Sequence, residues 1–222
     1  RDRSPSRGLG DVYKRQDPLI IEVRETHHGP IISDRDYPIN SLKFSEQSRI
    51  GLPKDYAISL SWTALYPGKT FQAIRDFNYM RNYEEFREAS KNFHVPAQNL
   101  LYADVEGNIA YQSPGLVPIR AEGHSGQFPI PGWISSNDWK GFVPFDNLPI
   151  SLNPLSGYII TANQSIHPDQ PWLDSHNKGY RALSIRRVIE SKIPEKISVE
   201  DVMDMLINNY DYSPVYLSLI HI

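Results

Sequence analysis

A chain of 222 residues, 40% of them hydrophobic and 22% charged, can bury one good-sized core or part of a larger one. Its formal net charge of −3 argues against a nucleic-acid or anionic-membrane partner, and no stretch approaches the roughly 18 consecutive apolar residues of a membrane-spanning helix. Cysteine is absent, which excludes disulfides, thiolate metal ligands and a cysteine nucleophile while leaving the compartment open.

Residues 1–16 (RDRSPSRGLGDVYKRQ) are basic and rich in small residues, with no apolar period and no hydrophobic centre of a signal peptide. They and the closing residues 217–222 (LSLIHI) resemble strings that recur at the ends of assembled environmental sequence fragments. The expectation is a non-native leader over 1–16, a non-native tail over 217–222, and between them, over 17–216, a single incomplete domain of a longer chain.

Leu19 to Arg24 alternates apolar and polar residues and predicts a strand, followed over Thr26 to Ser33 by a turn and a second short strand. His27 and His28 invite a metal reading, but neighbours on a strand point to opposite faces, so a structural or surface role is expected. Tyr56 to Leu65 reads as a further strand ending near Trp62. That tryptophan, beside Ser61 and Thr63, suits either the wall of an acyl pocket or core filling.

Phe71, Ile74, Phe77, Tyr83, Phe86 and Ala89 return at three- and four-residue spacing, predicting a helix over 71–93 with Glu84, Glu85, Arg87, Glu88 and Lys91 on its solvated face. Leu100 to Tyr111 predicts a β-hairpin, its turn at Gly107-Asn108, residue types that tolerate positive φ. Ser113 to Pro154 is rich in proline and glycine. So long a loop in a compact domain is usually a wall of a site or a clasp between layers, with Trp133, Trp139, Phe142 and Phe145 as its expected anchors.

Gly157 to Gln164 (Gly-Tyr-Ile-Ile-Thr-Ala-Asn-Gln) places an apolar, β-branched run before a polar turn, the pattern of a buried strand that delivers a side chain to a site. The delivered residue is Asn163. A neutral amide there either caps the turn or donates to a developing negative oxygen without titrating, as an oxyanion hole requires. Tyr180 to Lys192 predicts a helix with Ala182, Ile185, Val188 and Ile189 as its buried stripe and Arg181 in its first turn. Ser198 opens a last helix whose inner face is Met203, Leu206 and Ile207. Together these elements predict an α+β fold in which helices cover antiparallel sheet.

The order and spacing of His28-Gly29-Pro30, Tyr102-Ala103-Asp104, Gly107-Asn108-Ile109-Ala110-Tyr111, Gly115 with Pro118 and Arg120, Pro131-Gly132, Trp139-Lys140-Gly141, Pro144-Phe145, Asn153-Pro154, Gly157-Tyr158-Ile159 and Tyr180-Arg181 resemble the β chain of the penicillin acylase family over nearly all of 17–212. The resemblance implies an N-terminal-nucleophile hydrolase with a four-layer αββα sandwich, of which this chain would be part. It implies cleavage of a linear amide between an acyl group and an amine, by a serine freed through self-cleavage upstream of this chain, with the serine's own α-amine as base.

By motif, Asn163 matches the family asparagine that completes the oxyanion hole, and Arg181 matches an arginine near the nucleophile's amine, where a fixed positive charge would keep that amine a free base. Asp174 matches an aspartate that binds structural calcium in relatives, and the backbone carbonyl of Gly126 falls where another ligand is expected. Trp62 is the candidate substrate-pocket residue. The resemblance further implies a periplasmic or extracellular location, and as partners the missing upstream part of the β chain and the α chain of one precursor, with no organic cofactor. A fragment without its nucleophile is expected to be inactive alone. The competing reading is a non-catalytic β-rich module for glycans or peptides, with Trp133, Trp139 and Tyr158 as an exposed aromatic platform and Asn163 pointing away from any cleft.

Overall fold

A computed structural model describes residues 23–33, 56–165 and 179–207. They fall into two compact units, residues 1–65 and 66–222, each treated on its own below.

In the first unit, β1 (Glu25–Thr26) pairs antiparallel with β2 (Gly29–Pro30), Glu25 opposite Pro30. His27 and His28 form the turn between them, and their rings lie 3.7 Å apart. The expectation of histidines on opposite strand faces is thus corrected, because turn residues are not bound by the alternation of a pleated strand. The strand expected over 56–65 is an extended segment joined to the first hairpin by one bridge, Ile31 to Ser59, flanked by Ile32 N to Ile58 O (2.8 Å) and Leu60 N to Pro30 O (2.9 Å). Its last residues turn into a 3-10 helix, Thr63–Leu65. Gly29, at φ 137°, lies so close to the Leu60 carbonyl that an added Cβ would meet the oxygen at 2.2 Å, so only glycine fits the crossing. The strand expected over 19–24 lies mainly outside the described residues.

In the second unit the helix expected over 71–93 is two helices, α1 (Thr70–Phe77) and α2 (Tyr83–Ser90). The break has local causes. Asn78 donates its side-chain amide to the Ile74 carbonyl (2.8 Å), and Asn82 begins α2 by accepting from Glu85 N (2.8 Å), while Glu85 reaches back to Arg81 N (2.7 Å). Asn82 is thus the N-cap, Glu85 fixes the residue before it, and these bonds outrank the apolar period running across them.

α2 packs on a three-stranded antiparallel sheet of order β3 (Leu100–Ala103), β4 (Ile109–Gln112), β5 (Ile150–Leu152). Leu101 faces Tyr111, and Tyr111 faces Ser151. Phe86, Tyr102 and Ala110 form the core, with Phe77, Met80, Tyr83 and Leu100 packed against it. The Phe86 and Tyr102 rings are 5.2 Å apart, within the range of favourable aromatic pairs. Phe71 and Ile74, expected inside, are 84% and 49% exposed, and Ala73 is the buried residue of α1. Conversely Arg87, assigned to the solvated face, donates to Gln112 Oε1 (2.8 Å) and to Asp146 (2.7 Å) and stacks 4.9 Å over the Phe145 ring. It ties the long loop to the sheet, which makes that loop a clasp.

Within the loop Trp139 packs edge-on to Phe142 and Phe142 to Tyr66, at 6.2 and 5.9 Å. Trp133 is 68% exposed and so does not anchor the loop through burial. After residue 165 the description resumes at 179, with α3 (Tyr180–Lys192) and α4 (Val199–Ile207). α3 has its predicted bounds. α4 is opened by Ser198, whose hydroxyl accepts from Asp201 N (3.1 Å), but Met203, Leu206 and Ile207 are exposed among the described residues. Helical period predicts which residues share a face, not whether that face is covered.

Candidate functional site

The candidate site is built on the segment between two asparagines, Asn153 (φ 46°) and Asn163 (φ 61°), the two non-glycine residues with positive φ among the described residues. Asparagine tolerates this left-handed region better than most residues, and such positions concentrate where a side chain must be aimed. Asn153 fixes the start. Its Oδ1 accepts from Ile109 N (2.9 Å), its Nδ2 donates to Asn108 Oδ1 (2.9 Å), and its backbone N–H donates to the Ile109 carbonyl (2.9 Å).

The hairpin turn that receives Asn153 is itself organised by Asp104. Its carboxylate accepts from the backbone of Glu106 (3.0 Å) and Asn108 (2.9 Å), from Asn108 Nδ2 (2.8 Å) and from the Tyr102 hydroxyl (3.0 Å). The Asn108 amide is the chief reason its pKa lies below the usual carboxylate range, since hydrogen bonds to the charged form favour it.

The run Gly157 to Gln164, expected as a strand leading into a turn, forms no ladder among the described residues. Side chains take the place of a neighbouring strand. Ser156 Oγ donates to Tyr158 O (2.9 Å), and Gln164 folds back so that its Nε2 donates to Ile160 O (2.7 Å) while its Oε1 accepts from Ala162 N (2.6 Å). Local side-chain bonds of this kind compete with ladder formation and satisfy the backbone instead. Tyr111, Ser151, Pro154, Tyr158, Ile160 and Gln164 line a shallow cleft between this segment and the sheet.

At the far end Asn163 and Arg181 are brought together across 18 residues of sequence. Arg181 Nη2 donates to the Ala162 carbonyl (3.0 Å) and also to the side-chain oxygen of Asn163. A guanidinium has donors and no acceptor, so the amide atom that meets it is Oδ1. Arg181 therefore fixes the flip of the amide, and Nδ2 becomes its donating end. Asn163 is exposed and Ala162 buried, so the side chain sits at the surface on a buried footing.

The position of Arg181 opposes local electrostatics. It lies in the first turn of α3, which has no acidic residue there and begins after Gly179 in the left-handed conformation (φ 76°). A cation at a helix N-terminus is disfavoured by the helix dipole. Here the dipole and the guanidinium add, leaving an electropositive corner beside the Asn163 amide. Such a corner suits an oxygen that gains negative charge.

Of the other sequence-predicted residues, Trp62 lies in the first unit with 53% of its surface exposed. Asp174 lies outside the described residues. Gly126 is described, at φ 81°, and the Arg120 guanidinium packs against it so closely that an added Cβ would stand 2.6 Å from Nε. Among the described residues no group of three carboxylate or imidazole ligands gathers at Gly126, and one backbone carbonyl alone does not make a calcium site. Trp139 is turned onto Phe142, and the Tyr158 hydroxyl donates to Glu190 (2.5 Å), so two of the three aromatics proposed as an open platform are engaged elsewhere. Gln164 and Glu190 were not singled out as site residues by the sequence, and Tyr158 was named only as part of the aromatic platform of the competing reading. For Gln164 the adjacent Asn-Gln pair was a usable signal, whereas the link to Glu190 spans 32 residues and carries none.

The model of the penicillin amidase family matches residues 11–217. Among curated proteins, the chain is 32% identical over 155 residues to an acyl-homoserine lactone acylase QuiP of Pseudomonas fluorescens, covering 69% of this chain and 17% of that protein. It is 32% identical over 164 residues to penicillin G acylase of Escherichia coli, covering 72% and 18%. It is 28% identical over 191 residues to a penicillin acylase 2 proenzyme of a Pseudomonas species, covering 82% and 21%. The chain thus spans about a fifth of the length of these relatives. Among solved structures, a thermostable penicillin G acylase from Alcaligenes faecalis superposes with a TM-score of 0.65 over 86% of this chain and 32% of that one, at 22% identity. The fold expectation, α+β with antiparallel sheet and helices, agrees with that neighbour.

Proposed function

The chain belongs to the penicillin amidase family, and from that premise we propose that it is part of an amidohydrolase that cleaves a linear amide between an acyl group and an amine. In this reading Asn163 donates through Nδ2 to the oxyanion of the tetrahedral intermediate. The supporting observation is the Arg181 bond to Asn163 Oδ1, which orients the amide as that role demands. The substrates named for the relatives, penicillins and acyl-homoserine lactones, are both secondary amides of a hydrophobic acyl group, and the proposal is limited to that bond class.

The chemistry assigns the remaining parts to the rest of a longer precursor. A serine freed by self-cleavage would attack the carbonyl, its own α-amine taking the proton and later delivering it to the leaving amine, since an α-amine titrates near pH 8 (about 7.7–8.0). As the carbonyl oxygen acquires charge, Asn163 Nδ2 and the electropositive start of α3 would stabilise it. Their geometry is set before substrate arrives, which is what makes such donors effective. Calcium enters only through Asp174, and a periplasmic or extracellular site of action follows the same reading.

The test is the intact mass of the protein expressed from the full precursor gene. Two chains, the larger beginning at a serine upstream of Asp17, together with release of an amine from an N-acyl substrate, support the proposal. A single uncut chain without amidase activity contradicts it.

A further inference from the structure

Among the contacts that join the segment carrying Asn163 to α3 are side-chain hydrogen bonds set far apart on the helix. Near the start of the helix, Arg181 holds Ala162 O and Asn163 Oδ1. Near its end, Glu190 Oε1 accepts the Tyr158 hydroxyl at 2.5 Å. Glu190 lies nine residues beyond Arg181, so the two attachments are separated by about 13 Å along the helix axis. Tyr158 and Asn163 lie five residues apart at opposite ends of the segment.

Near its start α3 is held by the buried Ala182 and by Gly179 against Gln164 as well as by Arg181, so a helix fixed at that end alone can still tilt, and a second tie further along limits how far. We propose that Tyr158 and Glu190 form a positioning pair that fixes α3 against the 158–163 segment and so keeps Arg181 on the Oδ1 face of Asn163. Without the distal tie, α3 pivots, the guanidinium leaves Oδ1, and the amide is free to flip so that oxygen instead of nitrogen faces the site. An oxygen turned toward a developing oxyanion repels it. The pair thus acts on catalysis without touching substrate.

Two features make a purely structural role a poorer account. Glu190 is exposed, and Tyr158 is only partly buried, so the bond seals no core. Yet it is placed on the one helix that carries Arg181, and its tyrosine is on the one segment that carries Asn163. Arg186 lies close enough to act on Tyr158 electrostatically, but it is not a substitute acceptor, since a guanidinium only donates.

This inference rests on the oxyanion reading of Asn163, and the experiment separates the two. In the full-length self-processed precursor, Tyr158→Phe, Glu190→Leu, Glu190→Gln and Asn163→Ala are compared for kcat and KM on an N-acyl amide, with thermal melting as a check on folding. Tyr158→Phe and Glu190→Leu are expected each to lower kcat about tenfold with KM moved less than about twofold, a loss of the size expected for small misplacement. The double variant is expected to lose no more than either alone, and Glu190→Gln, which keeps an acceptor for the phenol, is expected to retain nearly full kcat. An impaired Asn163→Ala beside an unaffected Tyr158→Phe overturns the positioning pair alone. An unaffected Asn163→Ala overturns the oxyanion reading and the positioning role with it.

Discussion

Arg181 determines which end of the Asn163 amide can donate. The guanidinium meets Oδ1 of Asn163 and the carbonyl of Ala162 from the first turn of α3, and two acceptors on adjacent residues define one orientation for the arginine as much as for the asparagine.

Arg181→Lys tests whether this hold needs the guanidinium. Both bonds leave one nitrogen, Nη2, whose two hydrogens are fixed in the guanidinium plane, whereas a lysine keeps the charge on a flexible stem with freely rotating donors. The expected outcome is a loss of about tenfold or more in kcat with the fold retained. Equal kcat for Arg181 and Lys at this position, measured at saturating substrate, contradicts a role for planar geometry.

Asn153→Ala tests the other end of the segment. It removes two side-chain hydrogen bonds and places an alanine at φ 46°. Bonds of this kind contribute about 0.5–1.5 kcal/mol each, and the left-handed region costs a non-glycine residue about 1–2 kcal/mol. Since asparagine already bears part of that backbone cost, the expected loss is about 1–4 kcal/mol by denaturant titration, with Asn153→Gly less damaging because it relieves the backbone term. Alanine and glycine variants of equal stability contradict the backbone part of the account.

Gly115→Ala is expected to be costly for a steric reason. The new Cβ would stand 2.6 Å from the Ala97 Cβ and 3.0 Å from its Cα, at φ 147°. The neighbour is compact, and the Leu116 N to His94 O bond (2.9 Å) pins the same crossing, so little can shift. A destabilisation above about 2 kcal/mol is expected from strain and overpacking together. A midpoint within experimental error of the parent contradicts the close approach.

The tie between α3 and α4 gives a pH dependence. Asp201 accepts from Ser198 and from Lys192, whose Nζ is 2.8 Å away, and its pKa is lowered to about 2, chiefly by the Lys192 bond. A carboxylate with a folded value below its unfolded one stabilises above its ordinary range near 4 and ceases to as pH falls through its folded value. Lys192 is raised above 10.5, chiefly by the same bond, so its contribution is present below that value and is lost as pH rises past it. Helical content of this pair is expected to fall between about pH 4 and 2. Asp201→Asn is expected to remove that transition in far-UV circular dichroism, and an unchanged acid limb contradicts the tie.

How much of this was legible in the sequence depends on where the decisive bonds lie. α3 was readable to the residue because its period, first turn and end are local. The hairpin was readable from Gly107-Asn108, although Gly107 alone uses a positive φ, at 91°, and Asp104 does the organising. The break between α1 and α2 was written in Asn82 and Glu85, but the apolar period masks it when windows are read before caps. The run at 157–161 has the composition of a strand. It forms no ladder among the described residues, and Ser156 and Gln164 bond instead to its Tyr158 and Ile160 carbonyls. Asn163 and Arg181 were reachable as a pair only through family resemblance, since nothing local links residues 18 apart in sequence.

The most direct test of the central claim is kcat for Asn163→Ala in the self-processed full-length enzyme, measured with KM on the same N-acyl amide. An oxyanion donor predicts a fall of about 10² to 10³ in kcat with KM little changed. A kcat within about threefold of the parent would show that the amide held by Arg181 is a turn cap, and that the negative oxygen is stabilised elsewhere.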